Sequence, residues 1–446
     1  RGNTVNINPP VTPKYNLINT TVENKTFTDH ILSVIQPSFR PVPGEVVAEG
    51  AVVDGDYSTA WTHNDWDTAQ YGKGGPTVTF DQKYTIDTIA LIPRLDGSYA
   101  LPYFANVGVY NEETDSWTYE EAKVIHRNNN GNYAVIKLNR PVTSNKFQVN
   151  TSVYGGNVVT ISELKFYNYD SLENDTRDLF TDDLLIALKK DVDQAKIDKL
   201  RERANAIDPI SGEQHPERTS ILNELQLAED ILNDKNISED IFTVNQEINK
   251  GKNTIGITND YQALGITAKA GEEIVVYVGT EGNSMPEIAF TQHYGESSAF
   301  IKTQRLNKGK NVIRVPEITN MDVEKGGNVY IRYTGNSASD KDIKIRVSGG
   351  YKIPHLNVHG LIENDEAKAK EAIKEYILDL QDYVDGIKDN YPKLLESRSN
   401  NNYRYDEKTS VLNTTDIESQ NITLTLPATA VLSGINDNLT SIDEKA

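Results

Sequence analysis

The spacing of apolar residues changes along this chain, and that change constrains the fold more than any other feature. Up to about residue 167, apolar residues occur in short alternating runs such as Thr77–Phe80, which is typical of strands with one buried face. From Tyr169 they recur every three or four residues, as in helices. Residues 250–352 return to alternating runs between Gly- and Asn-rich turns. The sequence therefore predicts a multidomain, mainly β protein with helical segments.

Two apolar stripes define the first helical stretch. Thr181, which precedes two acidic residues, is predicted to cap a helix that continues through Leu188. We interpret His215 and Pro216 as a helix start rather than a metal motif. Residues 175 to about 248 are therefore predicted to form a small helical bundle. Its two stripes consist of Ile197, Leu200, Ala204 and Ile207, and of Ile221, Leu225, Ala228 and Leu232.

The last hundred residues predict one long helix and one strand. The helix runs from Asp365 to about Tyr383, and the strand over Asn421–Pro427 alternates cleanly before its proline. One face of the helix is apolar, and it consists of Ala369, Ile373, Tyr376, Ile377, Leu380 and Val384.

Composition excludes several classes of partner. A chain of 446 residues is long enough for about three domains. Its formal net charge of −20 argues against a nucleic acid or an anionic membrane surface as partner, because phosphate recognition needs a basic face. The chain has no cysteine, so it has neither disulfides nor a thiolate zinc site, and this favours a bacterial origin if the protein is secreted. No apolar run is long enough for a membrane span. Because Arg1 is the first residue, we expect that an upstream region was removed or cut away.

The loop Val53–Trp61 combines acidic residues with a glycine. Gly55 permits a sharp turn, so Asp54, Asp56 and Thr59 can direct oxygen atoms to one point, as calcium requires. Trp61 offers a large apolar side chain that would fix the loop to a core. The alternative interpretation is an ordinary turn between two strands.

Residues from about 45 to 170 resemble the galactose-binding-like β-sandwich shared by discoidin domains and family-32 carbohydrate-binding modules. The resemblance implies a structural Ca²⁺ held by Asp54, Asp56, Thr59 and Glu163, with backbone carbonyls such as that of Ala51 completing the shell. The segments that carry the resemblance are Val53–Trp61, Thr77–Phe80, Lys83–Ile89, Pro93–Gly97 and Ser162–Tyr167.

The same resemblance implies a sugar site on loops at one end of the sandwich. His63 and Arg94 would form hydrogen bonds with sugar hydroxyls, and an aromatic ring would contact the apolar face of the pyranose. The aromatic candidates are Tyr99, Tyr103 and Tyr154, with Trp66 as a further possibility. Two alternatives remain open: each tyrosine could simply pack on the surface, since the chain has 23, and the module could have lost its ligand.

A second resemblance covers the second β-rich stretch. The segments Ala263–Glu272, Leu306–Asn311 and Lys325–Ile331 are similar to the β-domain that precedes catalysis in enhancin-like, mucin-degrading metallopeptidases. That family binds Zn²⁺ through His-Glu-x-x-His on a helix, where the two histidines share one face and the glutamate activates water.

No segment of the chain reads His-Glu-x-x-His. The nearest is His355–His359, which has the right histidine spacing but Leu356 where the base belongs. A cysteine nucleophile, a Gly-x-Ser-x-Gly elbow and a phosphate-binding loop are also missing from the sequence. We therefore assign no catalytic residue in this chain and expect zinc only in a catalytic part beyond it.

These observations predict the non-catalytic N-terminal part of a secreted or cell-surface bacterial zinc metallopeptidase. Its partners would be host glycans on mucin-type glycoproteins, bound as galactose or N-acetylgalactosamine, and the chain would be monomeric. The alternative is a non-enzymatic glycan-binding adhesin. The predicted divisions are a lead-in at 1–40, a galactose-binding-like sandwich at 41–170, a helical linker at 171–249, a second β-sandwich at 250–352 and the start of a truncated catalytic region at 353–446.

Overall fold

A computed structural model describes the chain as two compact units. The first comprises Arg1–Leu179 and Lys190–Glu229, and the second comprises Phe180–Lys189 and Asp230–Ala446. The five predicted divisions stay a prediction. The residues that the structure describes are 8–18, 30–37, 50–63, 74–95, 101–128, 132–153, 159–235, 241–244, 253–254, 261–291, 301–318, 325–333, 343–359, 361–390, 410–419, 422–437 and 439–446.

The first unit contains a curled antiparallel sheet and a small second sheet. The large sheet has the order β1-β3-β6-β4-β5, with β8 also pairing β3 and β5 also pairing β6; β2 pairs β7 separately. Register shifts in β3, between Thr79 and Tyr84 and between Ile86 and Thr88, let this long strand bend. The strands are β1 (Ile31–Ile35), β2 (Trp61–His63), β3 (Thr77–Ile92), β4 (Phe104–Asn111), β5 (Ser116–Asn128), β6 (Asn132–Ser152), β7 (Val159–Ile161) and β8 (Glu163–Tyr167).

Three phenylalanines pack together within the otherwise mainly aliphatic core of the first unit. Phe80 packs edge-on against Phe166, with ring centroids 5.2 Å apart, and Phe147 lies beside both. Trp61 is buried in the same core, and its indole N–H donates to the carbonyl of Pro37. The prediction that Trp61 fixes the Val53–Trp61 loop to a core is confirmed.

Residues 8–18, which we call the N-terminal strap, bind two other parts of the first unit. The buried ammonium of Lys165 in β8 donates to Thr12 Oγ1 at 2.6 Å. The backbone N–H of Asn16 donates to Asp208 Oδ2 at 3.0 Å. The strap therefore joins β8 to the loop that follows the second helix.

Three helices complete this part of the chain: α1 (Leu172–Arg177), α2 (Gln194–Asn205) and α3 (Arg218–Leu232). Asp193 caps α2 by accepting from the backbone N–H of Lys196. The residues of both predicted apolar stripes are buried, except the last residue of each. Ile207 lies beyond the end of α2 and is 61% exposed, and Leu232 in the last turn of α3 is 36% exposed.

The predicted helix at Thr181 is wrong. The carboxylate of Asp182 accepts from the backbone N–H groups of Leu184, Ile186 and Ala187, and Leu185 adopts a left-handed φ of 56°. This pattern closes a loop instead of a helix, because a short acidic side chain can replace the backbone as acceptor.

The second unit contains a β-sandwich with a mainly aliphatic core. One sheet has the order β14-β13-β16-β11-β18 and the other the order β15-β12-β17-β9. β9 lies within the stretch predicted as helical, yet it pairs with β17. The strands are β9 (Ile241–Val244), β11 (Tyr261–Ala268), β12 (Glu273–Gly279), β13 (Glu287–Thr291), β14 (Ile301–Arg305), β15 (Gly309–Arg314), β16 (Gly327–Arg332), β17 (Ile343–Ser348) and β18 (Tyr351–Lys352).

A third sheet of this unit, in the order β10-β21-β20-β19, packs against helices. The long helix α5 buries the predicted apolar face, with Leu380 and Val384 at 0% and 1% exposure, and the predicted strand at Asn421–Pro427 is β21. The elements are β10 (Asn253–Thr254), β19 (His355–Asn357), α4 (Leu361–Asn364), α5 (Glu366–Asn390), β20 (Thr415–Glu418), β21 (Ile422–Leu426), α6 (Ala428–Asn436) and α7 (Ile442–Lys445).

Strands dominate both units, and the predicted multidomain, mainly β fold with helical segments is confirmed. Across the described ranges, no helix has an apolar stretch that could cross a membrane.

Candidate functional site

The acidic loop of the first unit is tightly folded by its own side chains. It follows a 3₁₀ turn, and Gly55 adopts a left-handed φ of 73° that a side chain would oppose. Asp54 accepts from the hydroxyl of Thr59 and from the backbone N–H of Asp56. Asp56 accepts from the backbone N–H and hydroxyl of Ser58, which lowers its pKa. Asp54 and Thr59 are thus brought together, whereas Asp56 Oδ1 is engaged by Ser58.

Glu163 lies behind this loop at the start of β8. It is completely buried, and neither carboxylate oxygen has a hydrogen-bond partner. Burial, followed by the neighbouring Asp54, raises the pKa of Glu163 to about 9. Burial and Glu163 also raise the pKa of Tyr57 to about 12.

The predicted calcium residues fit an oxygen-liganded cation by their chemistry. Asp54, Thr59 and Glu163 offer hard oxygen donors beside one another, and a buried carboxylate without a partner is energetically costly unless a cation compensates it. No group of three His, Asp or Glu side chains able to hold a metal occurs within the part of the chain that the structure describes. The Ca²⁺ site, including Asp56 as a ligand, therefore stays a prediction.

Two predicted sugar residues lie at the same end of the small β2–β7 sheet. His63 is paired with Val159, one position beyond the Thr62–Thr160 pair. The backbone N–H of Arg94 donates to the hydroxyl of Thr160 at 3.3 Å. The register therefore brings the backbones of His63 and Arg94 together, while the side chain of His63 lies outside the described residues.

Tyr103 is the one predicted sugar tyrosine that the structure describes. Its side chain is 53% exposed, and its ring meets that of His126 edge-on at a centroid distance of 5.1 Å. Nε2 of His126 lies 2.7 Å from the carbonyl oxygen of Pro102, which fixes the imidazole. Phe104 is next in sequence and 54% exposed. Tyr99, Tyr154 and Trp66 lie outside the described residues.

The sequence did not indicate His126 or Phe104. His126 lies 23 residues from Tyr103 in the sequence, and only the strand pairing of the sheet brings their rings together. The sequence also does not show that Phe104 is exposed, because alternation along a strand does not reveal which face points to solvent.

The second unit places the His355–His359 segment in a strand and a turn. His355 belongs to β19, and its Nε2 lies 2.6 Å from Oε2 of the buried Glu418. His359 follows the strand, so the spacing of four does not place two imidazoles on one helical face as a zinc motif requires.

A buried polar cluster beside this strand was also missed by the sequence reasoning. The carboxylate of Asp416 accepts from the hydroxyls of Tyr330 and Thr425 and from the amide of Asn328. Burial raises the pKa of Asp416, and His355 opposes that shift. The hydrogen bonds satisfy the carboxylate, which favours a structural role.

No family model and no curated protein matches the sequence. Solved structures do match. A structure of the CBM32-1, CBM32-2 and M60 catalytic domains of Clostridium perfringens ZmpB aligns with 97% of this chain and 43% of its own, at 21% identity and a TM-score of 0.42. The CBM32-1 and CBM32-2 domains of that protein in complex with GalNAc align with 72% of this chain and 90% of their own, at 14% identity and a TM-score of 0.35.

The catalytic module of the metalloprotease ZmpA from the same organism aligns with 45% of this chain and 36% of its own, at 26% identity and a TM-score of 0.31. The chain thus spans less than half the length of the first of these structures. All three TM-scores are below 0.5, so these similarities do not establish a family for the chain.

Proposed function

We propose that this chain is the glycan-binding, non-catalytic part of a secreted bacterial zinc metallopeptidase that acts on O-glycosylated, mucin-type proteins. In this proposal the first unit binds galactose- or N-acetylgalactosamine-type glycans and is stabilised by Ca²⁺. Zinc and the residues that activate water would belong to a catalytic region outside this chain, because the sequence has no His-Glu-x-x-His.

The observation that carries the proposal is the state of Glu163. A fully buried carboxylate with no hydrogen bond, next to Asp54 and the loop hydroxyl of Thr59, is the arrangement that a structural cation would stabilise. The resemblance to family-32 modules also implies that Glu163, on the last strand of the module, is a ligand of the metal.

The glycan part of the proposal is supported by the end of the sandwich where the backbones of Arg94 and His63 lie near each other. A guanidinium there could donate two hydrogen bonds to neighbouring sugar hydroxyls, and the neutral or charged imidazole could add a third. An exposed aromatic ring such as that of Tyr103 could pack against the apolar face of the pyranose.

Attachment to glycans would serve a peptidase without supplying any catalytic group. A module bound to one O-glycan holds the linked catalytic region near other substrate chains and so raises its effective concentration. The proposal therefore requires weak, reversible sugar binding rather than a tight complex.

Two calorimetric titrations of the full chain test this function. We expect N-acetylgalactosamine to bind the wild type, and Arg94→Ala to weaken that binding at least tenfold, because a charge-assisted hydrogen bond is lost. Arg140→Ala is the matched control, since Arg140 is 68% exposed and forms an ion pair with Glu120. Equal affinities of the wild type and Arg94→Ala would refute the sugar site.

The second titration uses CaCl₂. We expect saturable binding to the wild type and none to Glu163→Gln, which keeps the size of the side chain but removes its charge. Binding of equal strength to both proteins would refute the metal site while leaving the sugar site untouched.

The DNA sequence downstream of this chain distinguishes the adhesin hypothesis from the peptidase hypothesis. A downstream His-Glu-x-x-His with a further glutamate some twenty residues on would support the peptidase, and a reading frame without it would support the adhesin.

A further inference from the structure

Strands β4 and β5 carry aromatic side chains on the face of the sheet that points away from the core. Side chains alternate along a strand, and Val109 is buried, so Gly108 and Tyr110 point outward. The register places Trp117 opposite Tyr110 and Tyr119 opposite Gly108. We call Tyr110, Trp117 and Tyr119 the aromatic platform.

Gly108 allows two of these rings to approach the sheet. A Cβ atom at this position would lie 3.1 Å from Cε3 of Trp117 and 3.2 Å from Cε1 of Tyr119, which is closer than nearly all real contacts. Both rings, which come from β5, therefore pack close over the glycine. Tyr119 is still 46% exposed, and the ring centroids of Tyr110 and Trp117 are 5.3 Å apart.

Polar groups border the platform. The ammonium of Lys146 lies 4.4 Å from the centroid of the Tyr110 ring, and the hydroxyl of Tyr110 donates to Asp115 at 2.8 Å. Gln148 is paired with Gly108 on the neighbouring strand β6, so its amide lies on the same face. The platform thus combines ring surfaces with hydrogen-bonding groups at its edge.

This composition selects among ligands. The solvent face of an antiparallel sheet is normally polar, so three neighbouring aromatic residues there indicate a binding surface. Stacked nucleic-acid bases are disfavoured by the net charge of −20. A protein partner would need a surface of roughly 800 Å², but Glu112 and Glu121 beside the platform are exposed and charged. A neutral sugar combines an apolar C–H face with a rim of hydroxyls and matches both parts.

We propose that the aromatic platform is a second glycan site, which binds neutral hexose-containing chains by stacking pyranose rings on Trp117 and Tyr119. It is distinct from the proposed site near Arg94. Tyr110 lies six residues along β4 from Phe104, a separation of about 20 Å at the rise of a β-strand. Two such sites on one unit would let a single glycoprotein be bound at two points.

The test uses the full chain on an array of immobilised neutral hexose-containing glycans, followed by titration with the soluble form of the strongest binder. We expect Tyr119→Ala and Trp117→Ala to weaken binding about tenfold or more, and Tyr119→Phe and Trp117→Phe to retain most of it, because they keep a ring. Gly108→Ala should also weaken binding, since its methyl group displaces both rings without removing either.

Lys196→Ala is the control, since Lys196 is exposed on α2 outside both proposed sites, and it should leave binding within twofold. Binding that is lost in Arg94→Ala or Tyr103→Ala is assigned to the proposed site near Arg94. This separates the two proposals: loss of binding in Arg94→Ala alone supports the loop site only and overturns the platform. No glycan bound by the wild type, or unchanged binding in Tyr119→Ala, also overturns it.

Size-exclusion chromatography tests whether the aromatic platform binds a second copy of this chain instead of a glycan. We expect wild type and Trp117→Ala to elute at the same volume. A wild-type dimer that Trp117→Ala converts to a monomer, without an effect on the glycan array, would assign the platform to self-association and overturn the proposal.

Discussion

The two units each bury a carboxylate completely, but in opposite surroundings. In the second unit, Asp416 accepts hydrogen bonds from Tyr330, Thr425 and Asn328. In the first unit, Glu163 accepts none. Both are inaccessible to solvent. Burial alone therefore does not distinguish a structural carboxylate from a site, whereas the presence or absence of hydrogen-bond donors does.

The difference has an energetic basis. Burying an ionised carboxylate is costly, and hydrogen-bond donors can repay that cost within the fold. Asp416 has such donors and so anchors β20 to the neighbouring sheet. Glu163 has none, so the metal-free first unit can accommodate it only in protonated form or at a cost in stability.

The largest expected effect is on the partnered carboxylate. Asp416→Ala leaves the buried hydroxyls of Tyr330 and Thr425 without their acceptor, and we expect a loss of about 4 kcal/mol in unfolding free energy. Urea unfolding of the full chain measures it. Asp416→Asn, which keeps one acceptor oxygen, should lose less. A loss below about 1 kcal/mol in Asp416→Ala would remove the contrast between the two carboxylates.

The pH dependence of stability addresses the unpartnered carboxylate. The pKa of Glu163 is raised from 4.5 in the unfolded chain to about 9 in the folded chain. Between these pH values the folded chain binds more protons than the unfolded chain, so the free energy of unfolding falls as pH rises. In chelator we expect a loss on the order of 3 kcal/mol between pH 4.5 and 7, since one pKa unit corresponds to about 1.4 kcal/mol.

Glu163→Gln is the control for this pH dependence, because glutamine does not titrate. Urea unfolding at several pH values gives the free energy of unfolding of both proteins. As pH falls below 7, the wild type should gain stability relative to Glu163→Gln. The same pH dependence in both proteins would mean that Glu163 does not hold its proton in the folded chain.

Ca²⁺ should restore the stability that the ionised Glu163 carboxylate costs the folded chain at neutral pH. An ion that binds only the folded state at a concentration of 100 times its Kd adds about 2.7 kcal/mol, which corresponds to a rise of several degrees in Tm. Scanning calorimetry with CaCl₂ and then with chelator measures this. Mg²⁺ is the control cation, since it prefers a smaller octahedral shell. A Tm that is the same with and without Ca²⁺ would contradict the site.

The smallest effect is expected where charges are paired but exposed. Lys196 and Asp191 form a salt bridge at 2.9 Å with side chains 49% and 70% exposed. Lys196→Ala should not measurably change the free energy of unfolding, because water screens such pairs. A loss comparable to that of Asp416→Ala would show that burial is not what distinguishes these groups.

Patterns within one element were predictable from the sequence. The apolar face of α5 and the alternation of β21 depend on neighbours within a few residues, and both are found where expected. The helix at Thr181 failed because the same acidic residues that favour a helix N-terminus can bind nearby backbone N–H groups in a loop.

Contacts between distant residues were not predictable without a family resemblance. Tyr330 and Asp416 are 86 residues apart, and neither has a local pattern that names the other. The proximity of Glu163 to Asp54 was anticipated only through the resemblance to family-32 modules. The platform was missed because alternation in β4 and β5 does not reveal that a glycine on one strand faces an aromatic residue on the next.

The N-terminal strap has a practical consequence for producing the first unit as a separate protein. Thr12 is the hydroxyl partner of the Lys165 ammonium, whose pKa burial lowers to about 8, and Asn16 is bonded to Asp208. Trimming the chain to the start of the sandwich would uncover that ammonium and release the loop. Such a protein should therefore begin upstream of Asn8 and continue through the end of α3.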